Sequence, residues 1–256
     1  MRFSYYRPPP VSHTMRVRRA LLVAGCGVLT VAMSACESTE QESARIGREG
    51  RQLVAASGNL QLGAVNHTVR VSDVTLLTGS GRMAVAVRLT GTSTRPQVDV
   101  PVLVEVSGAG AKQLYTNATG GLETSLQRMA ILRPNEPAWW VDDQVLTSQS
   151  ATGVKVRVGT GKALRTAVPA PNLTTTGVHL AQQSGLSVLD GTLVNRSSGS
   201  AGKVPVYAVA LASGRVVAAG RAVVTALAGS SSTFRIFLVG NPAGARVELT
   251  VAPTAG

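Results

Sequence analysis

The sequence is poor in cysteine and in aromatic residues. Of its 256 residues only Cys26 and Cys36 are cysteines, and Phe, Trp and Tyr together account for 4%. Because no thiol follows Cys36, the rest of the chain contains no disulfide, no cysteine nucleophile and no thiolate metal site. Folding must rest on burial of apolar side chains. About 220 residues suffice for that, as one large or two small domains.

Recognisable catalytic patterns are also missing. The chain has no Gly-x-Ser-x-Gly, P-loop or Gly-x-Gly-x-x-Gly sequence, and the three histidines, His13, His67 and His179, are far apart. Asp142 and Asp143 supply two carboxylates, but a calcium site needs several convergent oxygens. We therefore predict a protein that is not an enzyme and that holds no metal ion or other cofactor.

The charge does not indicate nucleic-acid binding. The formal net charge is +12, but five arginines precede Cys36 and no acidic residue does, so the remainder carries +7. The other basic residues are scattered singly, without a recognition helix or a series of stacking aromatics. We expect a mildly basic surface. An open alternative is attraction to anionic lipid head groups or anionic wall polymers.

An export signal precedes Cys36. Arg16, Arg18 and Arg19 form a positive cluster, and the apolar stretch 20–33 is too short to span a bilayer. Together with residues 33–36, Met-Ser-Ala-Cys, this stretch resembles the lipobox signal peptide of bacterial lipoproteins. The resemblance implies cleavage before Cys36, a diacylglyceryl group on its sulfur, and anchoring to the extracytoplasmic side of the cell membrane by acyl chains.

Other interpretations of the N-terminus remain open. An ordinary signal peptide cleaved nearby, or an uncleaved anchor, would have a similar pattern, whereas a match ending at Cys26 leaves too short an apolar run. Met15 is an alternative start to Met1. The polar residues after Cys36 predict a tether. We assign 1–35 to the signal peptide and 36–58 to the tether.

The remainder predicts an all-β fold. Short alternating apolar runs recur between turn signals such as residues 79–81, Gly-Ser-Gly, which is typical of antiparallel β-sandwiches. Pro169 and Pro171 indicate a stiff linker between two sets of strands. We predict two immunoglobulin-like β-sandwich domains, at 59–166 and 172–254.

The two sets of strands resemble each other. Residues 88–93 match 192–197, and Val-Pro-Val at 100–102 matches Val-Pro-Val at 204–206 at the same spacing. Later, residues 139–141 correspond to 234–236 and 156–158 to 249–251 with a shifted spacing, as different loop lengths would produce. Chance similarity of Val-rich strands is the alternative. A true internal repeat predicts two homologous domains.

The last 80 or so residues carry a family resemblance. Residues 193–197, 204–209, 213–217 and 230–234 resemble the bacterial FxLYD and related immunoglobulin-like envelope domains. The namesake Leu-Tyr-Asp is replaced by Leu-Ala-Ser at 211–213. The resemblance implies a fold and an envelope setting, with no catalytic residues to carry over.

Trp139 and Trp140 are the candidate binding surface. Neighbouring strand residues face opposite sides, so one indole can be core while the other packs against the second domain or binds a ligand. We expect a membrane-anchored, non-catalytic protein-interaction or scaffold module whose partner is an envelope protein. Binding of cell-wall glycan or anionic wall polymer is the alternative, and a hydrolase with an unrecognised site is the third.

Overall fold

The computed structural model describes residues 59–164 and 171–253, which we call the first and second halves. Paired strands run antiparallel throughout, so the predicted all-β class is confirmed. Two short 3-10 turns, Ala109–Ala111 and Thr124–Leu126, accompany the strands. The strands are β1 (Val69–Gly79), β2 (Arg82–Gly91), β3 (Gln97–Gly108), β4 (Gln113–Thr116), β5 (Arg128–Leu132), β6 (Pro137–Val145), β7 (Ala151–Val158), β8 (Lys162–Ala163), β9 (Leu173–Gln183), β10 (Leu186–Asn195), β11 (Gly202–Ala212), β12 (Arg215–Ala226), β13 (Ser231–Phe237), β14 (Val239–Gly240) and β15 (Arg246–Val251).

Several predicted features lie outside the described residues. These are the signal peptide at 1–35, the lipidation site Cys36, the tether at 36–58 and most of the linker around Pro169. Within the described residues, no helix has the length and apolar character to cross a bilayer.

Each half contains two sheets. In the first half, β1-β2-β6 faces a sheet centred on β3, whose beginning pairs with β5 and β8 and whose end pairs with β4 and β7. In the second half, β9-β10-β13 faces β14-β12-β11-β15. The alternation of apolar and polar residues gives each sheet an inner face that packs in this way.

The pairing registers confirm most of the internal match seen in the sequence, since Val102 pairs with Val158 as Val206 pairs with Val251. Val87 pairs with Trp140 as Gly191 pairs with Phe234, so Trp140, and not Trp139, corresponds to Phe234. The predicted alignment of 139–141 with 234–236 is therefore wrong by one residue, a shift that exchanges the two faces of the strand. The first hairpins match too, because each turns through a Ser-Gly pair with positive φ, at 80–81 and at 184–185. The two halves are therefore structural repeats.

The halves stack sheet on sheet into one compact unit. β1-β2-β6 packs against β14-β12-β11-β15, and one hydrophobic core includes Ala86 and Val141 from the first half with Tyr207 and Val209 from the second. Strands in these inner sheets have cover on both faces, which explains their unbroken apolar runs, such as residues 84–87. The domain boundaries at 59–166 and 172–254 stay predictions.

Candidate functional site

The two tryptophans lie where the halves meet. Trp140 points into the first half, and its Nε1 donates to the Ser125 carbonyl at 2.9 Å. Trp139 points to the second half, where its Nε1 donates to Glu248 Oε2 and its backbone N–H to Thr250 Oγ1, both at 2.9 Å. Trp139 is 4% exposed and Trp140 is not exposed. The protein itself therefore covers both indoles, and a functional surface must be sought elsewhere.

Polar contacts around Arg221 of β12 join the halves. Only 6% of its side chain is exposed, and its guanidinium donates to Glu123 and Ser125 of the first half. Arg221 Nε lies 3.3 Å from Asp143 Oδ1 but is not aligned for a hydrogen bond, so this contact is an ion pair alone. The Tyr207 hydroxyl donates to the Ser125 carbonyl at 3.0 Å. Two carboxylates thus compensate one buried cation.

Asp142 faces away from this cluster. It is fully buried in the first half, where it accepts from the Tyr115 hydroxyl at 2.7 Å and from the Gln144 N–H at 3.0 Å. Burial raises the pKa of Asp142 to about 6, although both hydrogen bonds oppose the rise. Burial also raises the pKa of Asp143, against the attraction of Arg221. The adjacent acids serve opposite sides of β6 and do not converge on a common ligand.

Beside this cluster a cleft of about 390 Å³, the seam cleft, opens between the halves. Three basic residues line it, Arg128 and Lys162 from the first half and Lys203 from the second. Asp99 lies 3.5 Å from Arg128 and 3.8 Å from Lys162, so two cations share one carboxylate. The lining residues are Val98, Asp99, Glu123, Thr124, Ser125, Arg128, Ala130, Lys162, Lys203 and Pro205.

A second feature is an open side of the second half. β9 pairs with β10 but with no further strand, so its other edge has no strand partner among residues 59–164 and 171–253. Val178 and Leu180 on β9 face the sandwich interior, yet they are 37% and 40% exposed. β15 borders the same side, and its inward side chains are half-buried. The open side is formed by Val178, Leu180, Val247, Leu249 and Val251.

In the first half the equivalent side is more closed. β1 packs against β7, and no comparable packing joins β9 to β15 in the second half as described. Val74, the counterpart of Val178, is nevertheless 38% exposed, so the two halves differ mainly at Leu180, whose counterpart Leu76 packs against the core. The chain before β1 runs beside the end of β7, where the Asn66 N–H donates to the Val158 carbonyl and the Thr160 N–H to the Ala64 carbonyl. Accordingly β1 has buried residues, whereas β9 has none.

The chain matches no protein-family model and no curated protein.

The remaining sequence candidates stay dispersed. His67 and His179 lie in different halves, and the residues that the structure describes contain no group of three metal-ligating side chains.

Sequence reasoning missed Arg221 and Lys203. A lone arginine in the apolar run of β12 was an available signal for a buried ion pair, but nothing in the sequence shows that Lys203 lies beside Arg128 across the seam.

Proposed function

We propose that the protein is a lipid-anchored, non-catalytic interaction module on the extracytoplasmic face of a bacterial membrane. Its partner is an envelope protein, which supplies an extended segment that pairs with β9. The observation that carries this proposal is the open side of the second half, since on the corresponding side of the first half β1 packs against β7 and Leu76 packs against the core. The lipobox-like residues ending at Cys36 support the membrane setting.

The chemistry of β9 suits strand addition. Its free edge presents backbone N–H and C=O groups, which a partner strand can satisfy. From Leu173 to Gln183 it has no acidic or basic residue apart from His179, so no Lys or Glu protects the edge. A bulge at Gly177 interrupts pairing with β10, which leaves 178–183 as the regular stretch. The partner segment is therefore about six residues long, uncharged, and apolar at alternate positions.

A second copy of the chain fits this edge less well. From Cys36 onward the sequence carries 20 basic residues against 13 acidic ones, and like-charged copies repel each other. A partner of opposite or no net charge meets no such barrier. Self-association is accordingly an outcome that the test must recognise.

The anchor is tested by intact mass. Protein extracted from membranes of its native host should begin at Cys36 and carry a diacylglyceryl increment, and a Cys36→Ala form should lack the increment and leave the membrane fraction. An unmodified wild-type mass contradicts the anchor, but it leaves the partner site to be decided by the next test.

The partner site is tested by cross-linking from the edge. Acylation blocks the Cys36 sulfur and no other cysteine follows it, so a Val178→Cys variant offers one reactive thiol for a maleimide–benzophenone probe; if Cys36 proves unmodified, the probe is placed in a Cys36→Ala background. We expect one adduct of defined mass whose cross-linked peptide is an uncharged, extended segment of another envelope protein. A probe at Leu146→Cys, an exposed position in the first half, should give none of that adduct.

Matched lysine variants decide whether strand addition holds the partner. Leu180→Lys places a charge on the open side and should abolish the adduct, because a buried partner strand cannot accommodate it. Val223→Lys, at a similarly exposed position on β12, should leave it unchanged. An adduct of twice the monomer mass, no adduct, or an adduct insensitive to Leu180→Lys would each overturn the proposal.

A further inference from the structure

The seam cleft has the size and position of a ligand site. Its volume of about 390 Å³ falls within the range of small-molecule pockets, and it lies between two structural repeats, where such pockets often form. Residues from β3, β5, β8, β11 and the turn Thr124–Leu126 line it, so neither half can form it alone.

We propose that the seam cleft binds a small polyhydroxy ligand through a phosphate or carboxylate group. This site is separate from β9 and does not depend on the partner proposed above. Its ligand is recognised by the charge of the cleft and by polar groups at the seam, on the following observations.

The charges in the cleft leave a cation free for an anion. Three cations and two carboxylates line it. The charge of Asp99 is neutralised by Arg128 and Lys162. Glu123 forms a hydrogen-bonded ion pair with Arg221, whose side chain is buried and does not line the cleft. Lys203 is exposed and forms no ion pair with any of the described residues. An anionic group placed between Lys203 and Lys162 would therefore gain attraction from both without breaking a structural pair.

The rest of the lining suits a compact polyol. Val98, Ala130 and Pro205 provide an apolar wall against which a sugar ring or a glycerol backbone can pack. Thr124 adds a hydroxyl, and the lone pairs of Asp99 and Glu123 not used by the basic residues can accept from ligand hydroxyls. An inorganic anion would interact only with the charges of the cleft. A ligand that also carries hydroxyl groups can form hydrogen bonds there, so it should bind more tightly.

NMR titration of the folded chain with glycerol 3-phosphate, glucuronate and glycerol tests this inference. The two anions should shift amide signals of residues around Ser125 and Lys203, and glycerol should not. Lys203→Ala should weaken binding of both anions about tenfold, the loss expected for one charge-assisted contact. Inorganic phosphate should bind more weakly than glycerol 3-phosphate.

A lysine at the far end of β3 provides the control. Lys112 is exposed and follows the far end of β3, so Lys112→Ala removes the same charge without touching the cleft. The Lys112→Ala variant should bind both anions with the affinity of the wild type. Equal losses in Lys203→Ala and Lys112→Ala would show a diffuse electrostatic effect and overturn the inference, as would equal binding of glycerol or the absence of any shift at Ser125.

Two sources of the anionic group are then distinguished with larger probes. If the group belongs to a wall polymer, poly(glycerol phosphate) should compete with glycerol 3-phosphate for the cleft, and vesicles containing phosphatidylglycerol should not. If it belongs to a lipid, the vesicles compete, and the competition is lost in Lys203→Ala. Failure of both large probes, with binding of the small ones retained, restricts the ligand to free small molecules.

Discussion

The sheets β1-β2-β6 and β9-β10-β13 have the same strand order and the same pairing register, yet they meet different surroundings. At equivalent positions, Ala86 pairs with Val141 in the first and Asp190 pairs with Arg235 in the second. The first pair is fully buried against the second half. The second pair is a surface ion pair, with Arg235 Nε 2.6 Å from Asp190 Oδ1, and it holds the pKa of Asp190 below its usual range.

This difference shows how a repeat is prevented from stacking further. The outer face of β1-β2-β6 is apolar and joins the neighbouring half, whereas the corresponding face of β9-β10-β13 is polar. At the other end of the stack, Arg157 and Glu105 form an ion pair 3.4 Å long on the outer sheet of the first half. Polar outer faces at both ends are what terminal repeats of a stack require for solubility. The same arrangement of strands therefore forms an interface in the first half and an exposed end of the stack in the second half, and a few outward-facing side chains decide which.

The largest effect is expected when the Ala86–Val141 pair is replaced by the ion pair found at the equivalent positions of the second half. Ala86→Asp with Val141→Arg places two charges in the buried interface, where desolvation and overpacking oppose them. We expect a loss of more than about 4 kcal/mol in the free energy of unfolding, measured by urea denaturation.

A milder variant keeps this prediction measurable if the exchange prevents folding. Val141→Thr retains the shape and adds one buried hydroxyl, so it should cost about 1–3 kcal/mol. A loss below about 0.5 kcal/mol in Val141→Thr would mean that water reaches the seam, and the distinction between the two sheets would fail.

The inner faces of the same two sheets differ at one further position. Asp142 pairs with Val85 in the first half where Ile236 pairs with Leu189 in the second, so only the first half buries a carboxyl group there. Because its pKa is raised from 3.8 to about 6, the folded state binds a proton more tightly than the unfolded state. The contribution of Asp142 to stability should therefore be greatest below pH 4 and should decrease by about 3 kcal/mol as the pH rises through 6.

Asp142→Asn should remove this contribution. The amide keeps the acceptor for the Gln144 N–H, and the Tyr115 hydroxyl can rotate to accept. We expect the variant to be more stable than the wild type at pH 8 and about equal at pH 4, in urea unfolding at both values. Asp190→Asn, on the outer face of the second half, serves as the control and should not reproduce that gain. A difference between Asp142→Asn and the wild type that is independent of pH would contradict the assignment.

The fold was predictable because local signals agree. Short runs with alternating apolar residues and Ser-Gly turns predict antiparallel strands, and the two Val-Pro-Val segments predict the repeat, which the equivalent pairs Val102–Val158 and Val206–Val251 confirm. The alternation rule also predicts that Trp139 and Trp140 face opposite sides, as they do.

The stacking of the halves was not predictable from local signals. An unbroken apolar run such as 84–87 indicates cover on both faces but does not identify what provides the second cover. The seam cleft depends on that arrangement, because Lys203 and Arg128 meet only when the halves stack. The acceptor for Trp140 and Tyr207 is a backbone carbonyl, at Ser125, and this role requires no particular side chain.

The smallest effect on stability is expected on the exposed sheet. Asp190→Ala with Arg235→Val gives the second half the outward pair of the first, and surface ion pairs contribute little to stability. The free energy of unfolding should stay close to that of the wild type in urea denaturation. Solubility and self-association are more sensitive measures, since the exchange turns a polar end face into an apolar one.

Sedimentation velocity over a range of protein concentrations then separates two explanations of the polar face. If the ion pair prevents further stacking, the exchanged protein should form dimers or longer chains, because the outer sheet of one copy can meet the new apolar face of another. Arg157→Val with Glu105→Ala at the opposite end should strengthen that association when combined with it. If the exchanged protein stays monomeric at all concentrations, the ion pair is an ordinary surface contact, and the polar ends would need another explanation.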